Sequence, residues 1–387
     1  MTLICQKDKF SLPKTDIYLN CATMAPILKT TEQAGIQAVI SKSNPKLITQ
    51  ETYFESAHQL KSSCAKLVNA SVDRIALLPS VSYGMAIVAK NLVTKKGLKH
   101  GQHILLVQDE FPSDVYAWDE VCAQKGLRIR TISPPDNMDE RGKVWNQRLI
   151  SAINTETCLV VIAPVHWADG TLFDLLAISK ACQLNDALFV IDGTQSVGAL
   201  PFDIQSIKPD ALICAGYKWL LGPYSCGFAY FGAYFDDGSP IEQNWVNRVG
   251  SDDFSNLNQY NPNYRSGAWR YNMGEQSNFI LNPMLSDSIE NLMLWGIENI
   301  QEYCKNLVTE PIQKLQNMGY WIENEAFRAN HLFGIRLPEN GDVNLIKNKL
   351  VERNIQVSFR GTAIRVSPHV YNDESDLEAL VDALGQF

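Results

Sequence analysis

Asp192 and Lys218 are the two side chains of this sequence best placed to do chemistry. They lie in the stretch Ala187–Phe231, which holds two apolar runs of strand character, Ala187–Ile191 and Ala211–Cys214. Asp192 closes the first run. Lys218 follows the second by four residues, beside Gly216, Tyr217 and Trp219. Side chains just past the carboxyl ends of buried strands face the ligand crevice of an open α/β sheet. A lone lysine there suits carbonyl chemistry through a Schiff base, and an aspartate suits a protonated ring nitrogen. Together the two describe a site for pyridoxal 5'-phosphate. A lysine amine ordinarily titrates near ~10.4. An apolar setting lowers that value, makes the amine nucleophilic and lets it move a proton at a substrate's Cα. With Asp192 keeping the ring nitrogen protonated, the ring becomes a stronger sink for electrons from Cα. The alternatives are a helix-capping aspartate and a surface lysine after a strand.

These residues need a sheet to position them. Apolar runs alternate with amphipathic segments, the βα pattern of a mostly parallel sheet. The sequence predicts strands at Ile75–Leu78, His103–Val107, Leu127–Ile132, Cys158–Ala163, Ala187–Ile191, Ala211–Cys214 and Cys226–Phe231. It predicts helices at Glu51–Val68, Tyr83–Leu92, Asp114–Gln124, Lys143–Ile153 and Phe173–Gln183. A long helical stretch opens at Pro283 and runs to about Met318, with Ile289, Leu292, Met293, Ile297 and Ile300 at helical spacing. The tail, with segments at Ile335–Leu337, Asp342–Arg353, Gln356–Phe359, Ala363–Val366 and Glu374–Leu384, reads as α+β. We expect a large domain over residues 20–280 and a smaller one over 281–387, joined by an N-terminal strap, residues 1–19. Residues 232–275, rich in Asn, Asp, Gly and Tyr, read as long surface or interface loops. A phosphate belongs where a strand feeds a helix N-terminus. Ile75–Gly84 has that form: Ser80, the amide of Val81 and Ser82 can donate to a dianion at the positive end of a helix beginning near Tyr83. Each serine alone is equally an ordinary N-cap.

The order Asp192-Gly193-Thr194-Gln195, Pro201-Phe202-Asp203, Tyr217-Lys218 and Gly222-Pro223 resembles the core signature of the class V aminotransferase and cysteine desulfurase family of fold type I. The resemblance implies an α/β fold with a mostly parallel seven-stranded sheet flanked by helices, and a smaller α+β C-terminal domain. It implies that Gln195 hydrogen-bonds the cofactor's phenolic oxygen. Tyr217 stands where desulfurases have a histidine, as in kynureninases and isopenicillin-N-epimerase-like proteins, where the phenol would reach the phosphate. Phe111-Pro112 resembles that branch too, and Phe111 would lie on the pyridine in an offset stack. The alternative is a core phenylalanine. His166 and Trp167 precede Asp169-Gly170, where the family lines the cofactor's oxygen side. A structural histidine is the other reading of His166. Arg365, within Gly361–His369, resembles the arginine that clamps a substrate α-carboxylate through a planar fork. Arg360 is its understudy, and a strand-exposed arginine is the alternative. Asn20, in Tyr18–Thr23, resembles the family's N-terminal active-site segment and is assigned to the substrate. Cys21 beside it reads as a small buried residue. Ser266–Ala268 resembles a turn that reaches a neighbouring subunit's phosphate, without the usual threonine. The family's site is completed across a two-fold interface, which implies a homodimer.

Composition narrows the classes. The 387 residues are 45% hydrophobic and 20% charged, with a net charge of −8. This suits a globular chain with one large and one smaller domain. No dense Lys/Arg run points to nucleic acid. No apolar run approaches the ~18 residues of a membrane helix, and Met1–Phe10 lacks the form of a signal peptide. Nine scattered cysteines without Cys-x-x-Cys or Cys/His spacing read as cytoplasmic thiols, not a disulfide frame or a metal site. A dinucleotide oxidoreductase would carry G-x-G-x-x-G after its first strand, and none is present. Glu325–Asn340, where desulfurases carry a nucleophilic loop cysteine, has none, and Cys304 falls in the expected long helix. The expectation is an enzyme acting at Cα of an amino acid through an external aldimine, nominally an aminotransferase of class V. A C–S or C–C lyase or an epimerase on the same site is the alternative. A catalytically inactive binding protein of this fold is the reading from another class.

Overall fold

The computed structural model describes residues 2–95, 97–338 and 341–385. Glu339 and Asn340, the end of the cysteine-free stretch, and the last two residues of the expected smaller domain lie outside them.

The N-terminal segment carries a short strand, β1 (Ile17–Tyr18). The large sheet follows: β2 (Ile75–Leu78), β3 (His103–Val107), β4 (Arg128–Ile132), β5 (Thr157–Ile162), β6 (Leu188–Asp192), β7 (Ala211–Ala215) and β8 (Gly227–Phe231). Its order is β2-β8-β7-β6-β5-β3-β4. Strands β4, β3, β5, β6 and β7 are parallel, and β8 runs antiparallel to both β7 and β2. Hence β2 points the same way as β7, and these carboxyl ends all open on one side. Each of the seven strands matches a run expected from sequence, with ends displaced by a residue at most in any direction. The runs are legible because parallel strands covered on both faces are apolar throughout. Leu105, Val160, Ile162, Phe189, Ile191 and Leu212 bury on one face, and Ile104, Leu159, Val161, Val190, Ala211 and Ile213 on the other. Edge strand β4 is the exception, with Arg128, Thr131 and other residues turned to water.

Helices Thr52–Leu67, Val81–Lys95, Tyr116–Lys125, Arg141–Ala152 and Leu175–Leu184 cover the sheet. The expected single stretch from Pro283 is two helices, Leu281–Trp295 and Ile297–Asn317. Gly296, at φ 80°, ends the first in a conformation that side chains rarely adopt. Pro283 sits in the first turn, where its missing N–H costs nothing. The helix Lys29–Lys42 was not foreseen: Ile36, Val39 and Ile40 are exposed along it, so it lacks an inward apolar stripe to read.

The C-terminal part holds β9 (Phe333–Arg336), β10 (Ile355–Gln356), β11 (Ser358–Arg360) and β12 (Ala363–Val366), with helices Val343–Glu352 and Glu374–Leu384. Strands β11, β12 and β9 form an antiparallel sheet around a third core. β1 pairs with β10, and Asn20 bridges to Ser367. The N-terminal segment is thereby tied beside β12. Among the described residues no helix is long and apolar enough to cross a membrane.

Candidate active site

A cavity of about 250 Å³ opens at the carboxyl ends of β2, β3, β5, β6 and β7. Ser80, Val81, Ser82, Phe111, Trp167, Asp192, Gln195, Tyr217 and Lys218 all line it. The structure therefore brings together nine of the residues singled out in the sequence, drawn from segments far apart along the chain.

Lys218 sits in the loop after β7. Gly216 donates to the carbonyl of Cys226 at 2.8 Å and Gly222 to that of Gly216 at 2.9 Å, which folds the loop back on itself. The lysine is 6% exposed. Its Nζ lies 5.5 Å from the ring centre of Phe111 and 5.6 Å from that of Tyr217. Burial pulls the amine down to about 8, against the upward pull of Asp192. The guanidinium groups of Arg365 and Arg360 contribute to that lowering. Near neutral pH the Nζ is thus much closer to releasing its proton than a surface lysine.

Asp192 is buried at the end of β6 and accepts from the amide of Thr194 at 2.9 Å. The Thr194 hydroxyl in turn accepts from the amide of Ala215 at 3.1 Å, which locks the two strand ends side by side. Two further acids lie here that sequence reasoning passed over, Glu110 and Asp114. Glu110 lines the cavity, and burial pushes its carboxyl up to about 7. Asp114 is held well above the usual carboxylate range by burial and then by the charge of Asp192. The available signal was the pair of acids flanking Phe111-Pro112-Ser113, directly after a strand.

The helix Val81–Lys95 begins two residues before the expected Tyr83, so the Val81 and Ser82 amides are among its unpaired N–H groups. A Cβ on Gly84 would come 2.8 Å from Ile213, and this close approach seats the helix end over β7. The Ser80 and Ser82 hydroxyls are 3.0 Å apart, and Ser80 also caps the Tyr83 amide at 3.2 Å. Two hydroxyls and a helix N-terminus turned to one cavity suit a phosphate dianion.

Phe111 meets Trp167 edge to face, centres 5.6 Å apart, and the Trp167 indole donates to the carbonyl of Asp109 at 2.6 Å. Tyr217 packs on Tyr224 at 4.6 Å. The amide oxygen of Gln195 accepts from the Trp219 indole at 2.8 Å, and its nitrogen donates to the carbonyl of Ala22 at 3.1 Å. That nitrogen has a second N–H to offer the cavity.

Three expected residues do not line the cavity. His166 lies behind Trp167, its Nε2 on the carbonyl of Gln108 at 3.1 Å and its Nδ1 3.3 Å from Asp169. Asp169 is also paired with Arg141 at 2.9 Å, so the imidazole is locked into a buried ion network. The geometry is that of the structural histidine. Arg365 is 1% exposed on β12, not a strand-exposed arginine. It donates to the Trp167 carbonyl at 2.8 Å and to the Thr23 hydroxyl at 2.6 Å. Its Nε has no partner, and no carboxylate pairs with it among the described residues. Burial, then Arg360, pulls its guanidinium down to about 9. Asn20 stands one layer behind, its Oδ1 accepting from Thr23 and Ser358 at 2.8 Å each. Both hydroxyls lean on Arg365, so Asn20 orients the arginine's supports. Cys21 is fully buried with its thiol pushed up to about 12, and Cys304 is likewise buried. Ser266–Ala268 packs on Asp73, whose carbonyl would meet a Cβ on Gly267 at 2.4 Å.

The sequence profile of the family described as Aminotransferase class-V matches residues 42–380. An uncharacterized aminotransferase of Bacillus subtilis, YcbU, is 24% identical over 331 residues, 85% of this chain and 83% of its own length. The isopenicillin N epimerase of Amycolatopsis lactamdurans is 24% identical over 83% of this chain and 82% of its own. The kynureninase of Geobacillus thermodenitrificans is 24% identical over 94% and 86% respectively. Among solved structures, the apo cysteine desulfurase of Thermococcus onnurineus NA1 superposes with a TM-score of 0.84 at 18% identity, covering 100% of this chain and 98% of that one.

Proposed function

This chain belongs to the class-V aminotransferase family, a family of pyridoxal 5'-phosphate enzymes, and we propose that it acts at Cα of an α-amino acid, nominally as an aminotransferase. The observation that carries this reading is the buried guanidinium of Arg365. It has no acid of its own among the described residues, and it lies close enough to Lys218 to depress the amine. A buried cation without a counter-ion is costly unless a ligand supplies the charge.

When bound, the cofactor supplies an aldehyde for the substrate amine and a ring that accepts electrons from Cα. The chain's own residues divide the remaining work. Ser80, Ser82 and the Val81 amide would hold the phosphate. Phe111, which lines the cavity beside Lys218, would pack on the ring and keep water off it. Asp192 would hold the ring nitrogen, and the second N–H of Gln195 would be available to the phenolic oxygen. Arg365, beside the cavity and with its Nε unpartnered, would pair with the α-carboxylate. Nζ of Lys218, once neutral, takes the Cα proton and can return it elsewhere.

A lyase or epimerase outcome is the second reading, favoured by the Phe111-Pro112 and Tyr217-Lys218 pairs. A desulfurase route has no support from thiols: Cys226, the cysteine lining the cavity, is buried with its thiol pushed up to about 12. We further propose a homodimer in the cytoplasm. Ile36, Val39 and Ile40, with Trp245, Val249 and Tyr260 of the long loops, are exposed apolar surface that a second copy would cover. None of the nine cysteines is in a disulfide.

Incubation of the holoenzyme with single amino acids and a keto-acid acceptor tests the reaction type. Stoichiometric exchange of the amino group supports the aminotransferase. Pyruvate with ammonia or sulfide, or loss of optical purity without exchange, moves the assignment to lyase or epimerase.

A further inference from the structure

We infer that the substrate is an α-amino acid whose side chain carries a second anionic group, held by Arg360. The inference rests on the reading of Arg365 as the α-carboxylate partner.

Trp167 lines the cavity of Lys218 on one side and a second cavity, of about 460 Å³, on the other. Phe359, Arg360 and Thr362 contribute to the second. Three arginines meet there, but they are not equivalent. Arg141 and Arg336 share Asp169, at 2.9 and 3.3 Å. Arg360 has no carboxylate in ion-pair contact among the described residues. Its Nη1 donates to the Phe359 carbonyl at 3.0 Å, and its Nε is shielded from solvent with no partner. The guanidinium carbon lies 5.5 Å from the Trp167 ring centre.

The hairpin register explains why this charge stands beside Arg365. Ser358 of β11 pairs with Arg365 of β12, and Arg360 pairs with Ala363. Arg360 and Arg365 are therefore diagonal neighbours on one face of the hairpin, about 7–8 Å apart at the backbone. Two like charges on one face, neither matched by an acid, repel each other. A ligand with two anionic ends removes that repulsion by placing one on each guanidinium. With the α-amine at Lys218 and the α-carboxylate on Arg365, the side chain passes Trp167 and ends at Arg360. The distal group is a carboxylate or a phosphate, either of which matches a guanidinium fork.

The test is a titration of the holoenzyme with L-glutamate, L-aspartate and O-phospho-L-serine against L-glutamine, L-asparagine and L-serine, following the cofactor's visible band. The acids should bind at least about tenfold more tightly than their neutral partners. Arg360→Ala should bring the ratio close to one, and Arg360→Lys should restore part of it. The preferred acid separates a carboxylate from a phosphate. Glutarate, which has no amine, should bind the same protein in calorimetry and lose affinity in Arg360→Ala. Equal affinities for acids and neutral partners, with a clear spectral response to all, would overturn the inference and leave the amino-acid reading standing. No response to any amino acid would remove both.

Discussion

The carboxyl of Asp114 lies against that of Asp192, with Glu110 as a third buried acid close by. Three carboxylates cannot all be charged in so small a volume. Burial and the neighbouring acids favour the protonated form of Asp114, so that it need not add a negative charge beside Asp192.

Glu110 makes this arrangement measurable. Its carboxyl titrates at about 7 in the folded chain against an ordinary 4.5. Between those values the folded state holds a proton that the unfolded chain releases. The stability it contributes is fully present below 4.5 and is lost as pH rises to about 7. Glu110→Gln cannot titrate. Denaturation of both proteins across that window should show wild type losing stability relative to the variant, on the order of 3 kcal/mol. Parallel curves would mean that Glu110 is charged throughout.

Asp192→Ala should cut turnover by orders of magnitude while much cofactor stays bound, because the phosphate cradle is a separate element. Asp114→Asn should be mild, since an amide, like the protonated acid, adds no charge beside Asp192. Near-normal turnover in Asp192→Ala would show that the ring nitrogen needs no anion here.

Lys218 titrates at about 8, and its neutral form is the nucleophile. Mixing apoenzyme with pyridoxal 5'-phosphate should give a visible band whose rate of appearance climbs as pH rises through about 8. Borohydride should then fix the cofactor on Lys218. A rate independent of pH, or label on Lys208, would remove Lys218 from this role.

Arg365→Ala should weaken amino-acid binding about tenfold or more, since each charge-assisted bond is worth ~1.5–3 kcal/mol. Arg365→Lys should also be poor, because an ammonium cannot reproduce a planar fork. Cofactor affinity should change little in either. Spectral titration reads both quantities, and a variant that loses cofactor instead would assign Arg365 to the fold.

The sheet was legible because its strands are apolar on both faces, so β5, β6 and β7 announce themselves without alternation. The cavity residues at those strand ends followed from the same runs. Polar residues one layer back were harder. His166 and Trp167 are adjacent in sequence, yet one faces the Asp169 network and the other the cavity, and nothing in the order of residues distinguishes them. Asn20 acts through Thr23 and Ser358, a contact that exists only after β1 docks on β10. Glu110 and Asp114 look like ordinary solvated acids after a strand until the fold closes over them. The break at Gly296 was hidden because apolar spacing continues across it from Met293 to Ile297.

Hydrogen exchange at the substrate's Cα reads proton movement by Lys218 whatever product is formed. The holoenzyme is incubated in D₂O with individual amino acids, O-phospho-L-serine included, and the Cα–H signal is followed by proton NMR. The signal of at least one α-amino acid should disappear with wild type and persist with Lys218→Ala carrying bound cofactor. Exchange at an undiminished rate in Lys218→Ala, or no exchange of any amino acid by wild type, would contradict that role for Lys218.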